Sequence, residues 1–194
     1  MNNNSYKSRA HSIVGATNNC GGRVSADHYP TPLSAIEKLL ERESFEGTIW
    51  EPACGEGNIS KSLINHGFKV YSSDINDYGF GHLHDFLNPP QKVNYMLVDN
   101  IITNPPFNRA LEFLNTAKKH SRRKVAFLLK TQFLEGVERF SMFMDKEFPF
   151  RNIYQFSRRV SFPTPNSKNG GMIAFAWFIW ERGYVGKPFI DWIS

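Results

Sequence analysis

The chain has 194 residues, 41% of them hydrophobic, 21% charged and 14% aromatic, with a net charge of +5. That length and apolar content suit one folded domain with a sizeable core and exclude an intrinsically disordered chain. No apolar run approaches the roughly 18–20 residues that span a bilayer, no apolar segment follows the polar start Met1-Asn2-Asn3-Asn4, and the modest positive charge favours a polyanionic partner only weakly.

Residues 1–26 are rich in Asn, Ser and Gly without periodicity. They are expected to form a mobile tail that orders over a ligand, before a single domain over 27–194. The two cysteines are Cys20, in that tail, and Cys54, in a glycine-rich turn. A disulfide between them is not expected, and a reducing, intracellular compartment is. A helix should begin at Thr31 as N-cap with Pro32 in its first position. Leu33, Ile36, Leu39 and Leu40 would form its apolar face, with Glu37, Glu41 and Glu43 in the solvated remainder.

Thr48-Ile49-Trp50 reads as a short strand entering Glu51-Pro52-Ala53-Cys54-Gly55-Glu56-Gly57-Asn58. A helix follows with Ile59, Leu63 and Ile64 inward, stopped at His66-Gly67. The next strand, 68–71, ends at Ser72-Ser73-Asp74. Strand, glycine loop, helix, strand and acidic residue make a βαβ unit. Residues 75–92 read as loop, and the apolar run 98–102 as a buried strand. That strand delivers Thr103-Asn104-Pro105-Pro106-Phe107 to the start of a helix whose face is Ala110, Leu111, Leu114 and Ala117. Lys118, Lys119, Arg122, Arg123 and Lys124 suit that helix's C-terminus as a solvated face. Residues 125–129 form a fully buried strand, 136–146 a helix, 153–156 a strand, 158–171 a polar basic loop and 172–180 a final apolar strand.

Several stretches invite chemistry. Gly55 and Gly57 permit close backbone approach beside a helix N-terminus. No Gly-Lys-Ser/Thr follows, and Ser60 stands where a dinucleotide fingerprint has its third glycine. A triphosphate is therefore disfavoured, whereas an adenosyl ligand without pyrophosphate fits. Asp74 is either an acceptor for ribose hydroxyls or a turn aspartate. Asp85, with Phe86 against a purine, is either an acceptor for an adenine amine or an acidic loop residue. His82 and His84 have no Cys or His pair at ligand spacing, so no metal is expected. In Asn104-Pro105-Pro106-Phe107 the prolines fix φ and remove two donors. What results is a stiff loop with free carbonyls, a carboxamide and a flat ring, suited to gripping a planar group with an exocyclic amine.

Glu51-Pro52-Ala53-Cys54-Gly55-Glu56-Gly57 together with Asn104-Pro105-Pro106-Phe107 resembles the S-adenosylmethionine-dependent DNA adenine-N6 methyltransferases, over about residues 27–182. The nearest comparison is with small phage-type or orphan members. The resemblance implies an α/β, Rossmann-like class I methyltransferase fold: a seven-stranded, mostly parallel sheet with its last strand antiparallel and helices on both faces. It implies S-adenosylmethionine as cofactor, S-adenosylhomocysteine as product, DNA as partner, and a monomer in a phage-infected or bacterial cytoplasm. The segment Asp27-His28-Tyr29-Pro30-Thr31-Pro32 would hold the methionine part of the cofactor, with Tyr29, Thr31 and Pro32 as contacts. Glu51, Pro52, Ala53, Cys54, Gly55 and Gly57 would line its site, joined by Asn104. Asp74 with Ile75, and Asp85 with Phe86, match positions that contact ribose and adenine. Residues 155–163, with Arg158, Arg159 and Phe162, resemble a hairpin that reaches an extruded base, and a separate target-recognition domain is not expected.

The implied mechanism is physical. The Asn104 side-chain oxygen and the Pro105 carbonyl would hold the N6 hydrogens, aim the nitrogen lone pair and permit in-line displacement without a covalent intermediate. Extruding the base costs a few kcal/mol. Stacking, on Phe107 and on Phe162 unless the latter is a core aromatic, returns roughly 1–3 kcal/mol per base. Arg109, Arg158, Arg159 and Lys168 would contact phosphates. The same tetrapeptide is similar to that of RNA base and protein glutamine-amide methyltransferases, so these acceptors remain open. A non-catalytic cofactor-binding or nucleic-acid-binding protein on the same fold is the reading from a different class.

Overall fold

A computed structural model describes residues 30–88, 97–162 and 173–194. The expected tail, Cys20, Tyr29, Tyr95, Met96 and Lys168 lie outside the described residues. The described residues form four α-helices and eight strands. In order they are α1 (Leu33–Leu40), β1 (Thr48–Glu51), α2 (Asn58–Asn65), β2 (Lys69–Asp74), β3 (His82–Leu83), β4 (Val98–Thr103), α3 (Ala110–His120), β5 (Ser121–Lys130), α4 (Val137–Phe143), β6 (Phe150–Phe156), β7 (Phe175–Glu181) and β8 (Phe189–Ile193). They build one sheet of order β3-β2-β1-β4-β5-β7-β6-β8. β7 is antiparallel to both its neighbours, and the remaining described pairs are parallel.

The α/β class and the helix-covered, mostly parallel sheet agree with expectation. There are eight strands rather than seven, and the antiparallel β7 is followed by β8, an edge strand parallel to β6. β8 escapes a reading by alternation because Phe189, Ile190 and Trp192 are largely exposed while Ile193 is buried. The two-residue strand β3 likewise interrupts what reads as a continuous loop.

Strand periodicity divides the core between two layers. Val125, Phe127 and Leu129 of β5, with Ala176, Phe178 and Trp180 of β7, face α3 through Ala110, Phe113, Leu114 and Ala117. Ala126 and Leu128, with Phe175, Trp177 and Ile179, face Ala35, Ile36 and Leu39 of α1 and Ile59 and Leu63 of α2. Strands covered on both faces read as unbroken apolar runs because successive side chains enter opposite layers.

Several local expectations are corrected. Pro32, not Thr31, is the cap residue of α1, and no side chain caps the helix; the Thr31 hydroxyl is engaged elsewhere. Ile64 points out at 49% exposure, while Ser60 and Ser62 are buried on α2. The basic segment 118–124 does not form a solvated helix end. α3 stops at His120, β5 begins at Ser121, and Lys118 and Lys124 are buried. Lys118 pairs with Asp145 at 2.9 Å. Lys124 pairs with Glu43, which also takes Arg151 at 2.8 Å and the Tyr154 hydroxyl at 2.9 Å. Glu43 is therefore a buried counterion, not a solvated residue. The helix expected over 136–146 is shorter, Val137–Phe143.

Candidate active site

Sheet order decides which loops meet. β2, β1 and β4 are adjacent and parallel, so the turns leaving their carboxyl ends share one side of the sheet, where ligands of open α/β folds bind. A cleft of about 260 Å³ lies there. It is lined by Glu51, Pro52, Ala53, Cys54 and Gly55 after β1, by Asp74 and Ile75 after β2, and by Asn104, Pro105, Pro106 and Phe107 after β4. Thr31, Asp85, Phe86 and Arg109 complete the predicted residues on its wall. Gly57, Pro32, Arg158, Arg159 and Phe162 are described but do not line it.

The glycine turn is fixed by its backbone. The Gly55 N–H donates to Asp74 Oδ2 at 2.9 Å, the Cys54 N–H to the Ser73 carbonyl at 3.0 Å, and the Gly57 N–H to the Cys54 carbonyl at 2.7 Å. Gly57 has φ +82°, and a Cβ there would fall 2.3 Å from the Phe80 ring. Its glycine serves a left-handed turn and a close contact with a side chain behind the loop. Asp74 also accepts the Asn76 N–H at Oδ1, at 2.9 Å. Each of its oxygens thus has one backbone donor and retains a lone pair.

Thr31 joins two of these loops. Its carbonyl accepts from Asn58 Nδ2 at 2.9 Å and its hydroxyl from Asn104 Nδ2 at 3.1 Å. The second bond sets the direction of the Asn104 amide and leaves Oδ1 as an acceptor. That oxygen is buried and has no hydrogen-bond partner among the described residues. On the same wall, Glu51 is 1% exposed. It accepts the Ser60 N–H at 2.8 Å and the Ser60 hydroxyl, which lies 2.6 Å from the Ser72 hydroxyl. Burial, with Asp74 adding to it, pushes the Glu51 carboxyl up to about 8 against the lowering effect of Ser60. Burial and the nearby Glu51 and Asp74 push the Cys54 thiol up to about 12, so at neutral pH it is not a thiolate nucleophile.

Asp85 is engaged locally. It accepts the Leu87 N–H at 2.9 Å, the Asn88 N–H at 3.2 Å and Asn88 Nδ2 at 3.0 Å. Partial burial raises its pKa, but these bonds and Arg109 hold it below the usual carboxylate value. Phe86 is a core ring, edge-on to Trp50 at 4.9 Å and tilted against Phe113 at 5.1 Å. Phe107 lies 5.5 Å from Phe175, and Phe162 packs on the other core layer, 4.8 Å from the same ring. Arg158 and Arg159 are exposed. Among the described residues no cluster of acidic, His or Cys side chains could hold a metal.

The lining also includes residues that reading the chain missed: Pro30, Glu56, Asn58, Asn76, Tyr78 and His84, with Ile59, Leu87, Asn108 and Phe113. Asn58, the first residue of α2 directly after the glycine turn, carried a positional signal. Asn76, Tyr78 and Leu87 carried none, because loop residues have no period, and His84 was weighed only as a metal ligand. Glu56, Asp74 and Asp85 give the wall an acidic character, while burial holds Glu51 largely neutral at pH 7. Arg109 alone opposes them among lysines and arginines on it, and it is held by Glu112 at 2.7 Å. Such a wall suits a cationic or hydroxyl-bearing ligand and repels phosphate.

No protein-family model matches the sequence, and no curated protein does. Solved structures do. A protein described as a modification subunit of a type I restriction enzyme from Vibrio vulnificus YJ016 superposes with a TM-score of 0.64 at 16% identity, over 89% of this chain and 48% of that one. This chain thus spans about half the length of that neighbour. A protein described as an RNA methyltransferase from Pyrococcus horikoshii gives 0.61 at 17% identity, over 84% and 91% of the two chains. Magnesium protoporphyrin IX methyltransferase from Synechocystis PCC 6803, with S-adenosylmethionine bound, gives 0.52 at 13% identity, over 77% of each. At these identities the likeness shows the fold, that of Rossmann-like methyltransferases.

Proposed function

We propose that this protein transfers a methyl group from S-adenosylmethionine to the N6 amine of adenine in DNA. The observation that carries the reading is the buried, unpartnered Asn104 Oδ1, aimed by Thr31 within a proline-stiffened loop on the cleft wall. The acidic, phosphate-averse cleft fits a sulfonium ligand with ribose hydroxyls. Thr31, the turn from Glu51 to Gly55, Asp74 with Ile75, and Asp85 with Phe86 are the residues proposed to hold it, with Tyr29 just before Thr31 and with Pro32 and Gly57 shaping the adjoining backbone. When bound, it supplies an electrophilic methyl on sulfur.

The chain's own groups then act by positioning. Asn104 Oδ1 and the Pro105 carbonyl accept the two N6 hydrogens, which draws the nitrogen out of conjugation with the ring and orients its lone pair. Phe107 stacks on the extruded base. The proton released from N6 passes through these acceptors to water. Glu51, kept neutral by burial, and Cys54, kept a thiol, supply no base or nucleophile.

Labelled cofactor is offered to DNA, RNA and protein in parallel, with products resolved by nucleoside and peptide mass spectrometry. N6-methyladenine in DNA is expected. Asn104→Ala should lower the rate by about 100-fold or more, the scale of losing one preorganised partner, with cofactor affinity within a few-fold by calorimetry. N6-methyladenosine in RNA alone, or methylglutamine in protein, refutes the DNA reading; full activity in Asn104→Ala refutes the residue assignment.

A further inference from the structure

Lys130 is the last residue of β5. Thr103, the last residue of β4, pairs with Phe127. Lys130 therefore lies beyond the end of β4, at the level of the loop that carries Asn104 and Phe107. Its ammonium sits 4.6 Å from the centroid of the Phe107 ring. Its root is fixed on both sides: Lys130 pairs with Phe175 of β7, and the N–H and hydroxyl of Thr131 both reach the Ala174 carbonyl, at 3.0 and 3.4 Å.

Among the described residues the charge has no counterion. Among the described residues Lys130 Nζ makes no hydrogen bond or ion pair, and its contact is the Phe107 ring. Lys124, on the same strand, is bound to Glu43, and Arg109, on the cleft wall, to Glu112. An aliphatic stem alone would pack the half-buried site equally well, and the ammonium, with no acid beside it among the described residues, is available to an anion from outside.

Resting on the nucleic-acid reading above, we propose that Lys130 binds a phosphate of the target nucleotide while Phe107 takes its base. In the free protein the ammonium rests on the ring; when the base stacks there, the ammonium moves to the adjoining phosphate. A phosphate-bearing acceptor satisfies this cation, and a protein amide does not. Lys130 is thereby a substrate-binding residue that favours nucleic acid over protein at a loop common to both chemistries.

The test uses the full chain and a fluorescent adenine-containing DNA oligonucleotide, single- and double-stranded, titrated by anisotropy across a salt series. Lys130→Met keeps the stem and removes the charge. It should weaken binding about fivefold near 0.15 M salt and reduce the slope of log K against log salt by about one, with S-adenosylhomocysteine affinity unchanged. Lys130→Arg should keep the slope. An unchanged slope in Lys130→Met overturns the assignment, including the case where methyl transfer falls because Phe107 alone has lost its support. Absence of DNA binding by the unaltered protein overturns it too. A Lys130-dependent slope without any N6-methyladenine leaves the assignment standing and refutes the reaction.

Discussion

At the scale of single residues, the site depends on where a few polar atoms are left without partners. Asn104 and its neighbours are legible as a stiff acceptor loop from their types alone. The direction of the amide is not, because Thr31, distant in the chain, consumes Nδ2 and frees Oδ1. Glu51 shows the same division: its place in the glycine motif is legible, its protonation is not. Burial raises it from 4.5 to about 8, so the folded protein holds a proton that the unfolded chain loses earlier. The sign follows: this contribution to stability is full below about 4.5 and is lost as pH rises toward about 8. The melting temperature without cofactor should fall over that interval relative to Glu51→Gln. A cationic ligand prefers the ionised carboxylate. Affinity for S-adenosylmethionine should therefore rise with pH up to about 8, with proton release on binding, read by calorimetry in buffers of different ionisation enthalpy.

At the scale of elements, β1, the glycine turn, α2 and β2 are recoverable as a unit because turn chemistry and apolar runs are local. The close approach at Gly57 is not local. Its φ of +82° and the Phe80 ring 2.3 Å from a built Cβ make Gly57→Ala a test of the turn. It should destabilise by about 1–3 kcal/mol, the cost of a strained non-glycine backbone plus the displaced ring. A denaturant titration measures this, and cofactor affinity should fall with it. The basic run 118–124 misleads for a related reason. Helix-end charge is a sound local preference, yet α3 turns directly into β5 there, and the acids that neutralise Lys118 and Lys124 are Asp145, just after α4, and Glu43, just after α1.

At the scale of the whole molecule, the Glu43–Lys124–Arg151 group, centred on the buried Glu43, ties the segment following α1 to β5 and β6. Glu43→Ala would leave two cations without their shared acid. Because Arg151 retains Glu181 at 3.1 Å and some solvent contact, the loss should be near the lower end for a broken buried pair, about 3 kcal/mol, measured as the urea midpoint. The Glu43 cluster and the cleft stand at opposite ends of the strands, so stability and ligand affinity should separate in this variant. By itself the sequence determined the α/β class, the glycine turn, the acceptor loop and the apolar strands, since each is written in neighbouring residues through turn chemistry and a period of two. Only the tertiary structure decided the order β2-β1-β4 that brings three loops to one cleft, the extra edge strand β8, the orientation of the Asn104 amide and the burial of Glu43, Glu51 and Lys124. Each of these rests on contacts between residues far apart in the chain, where no local period or propensity reaches.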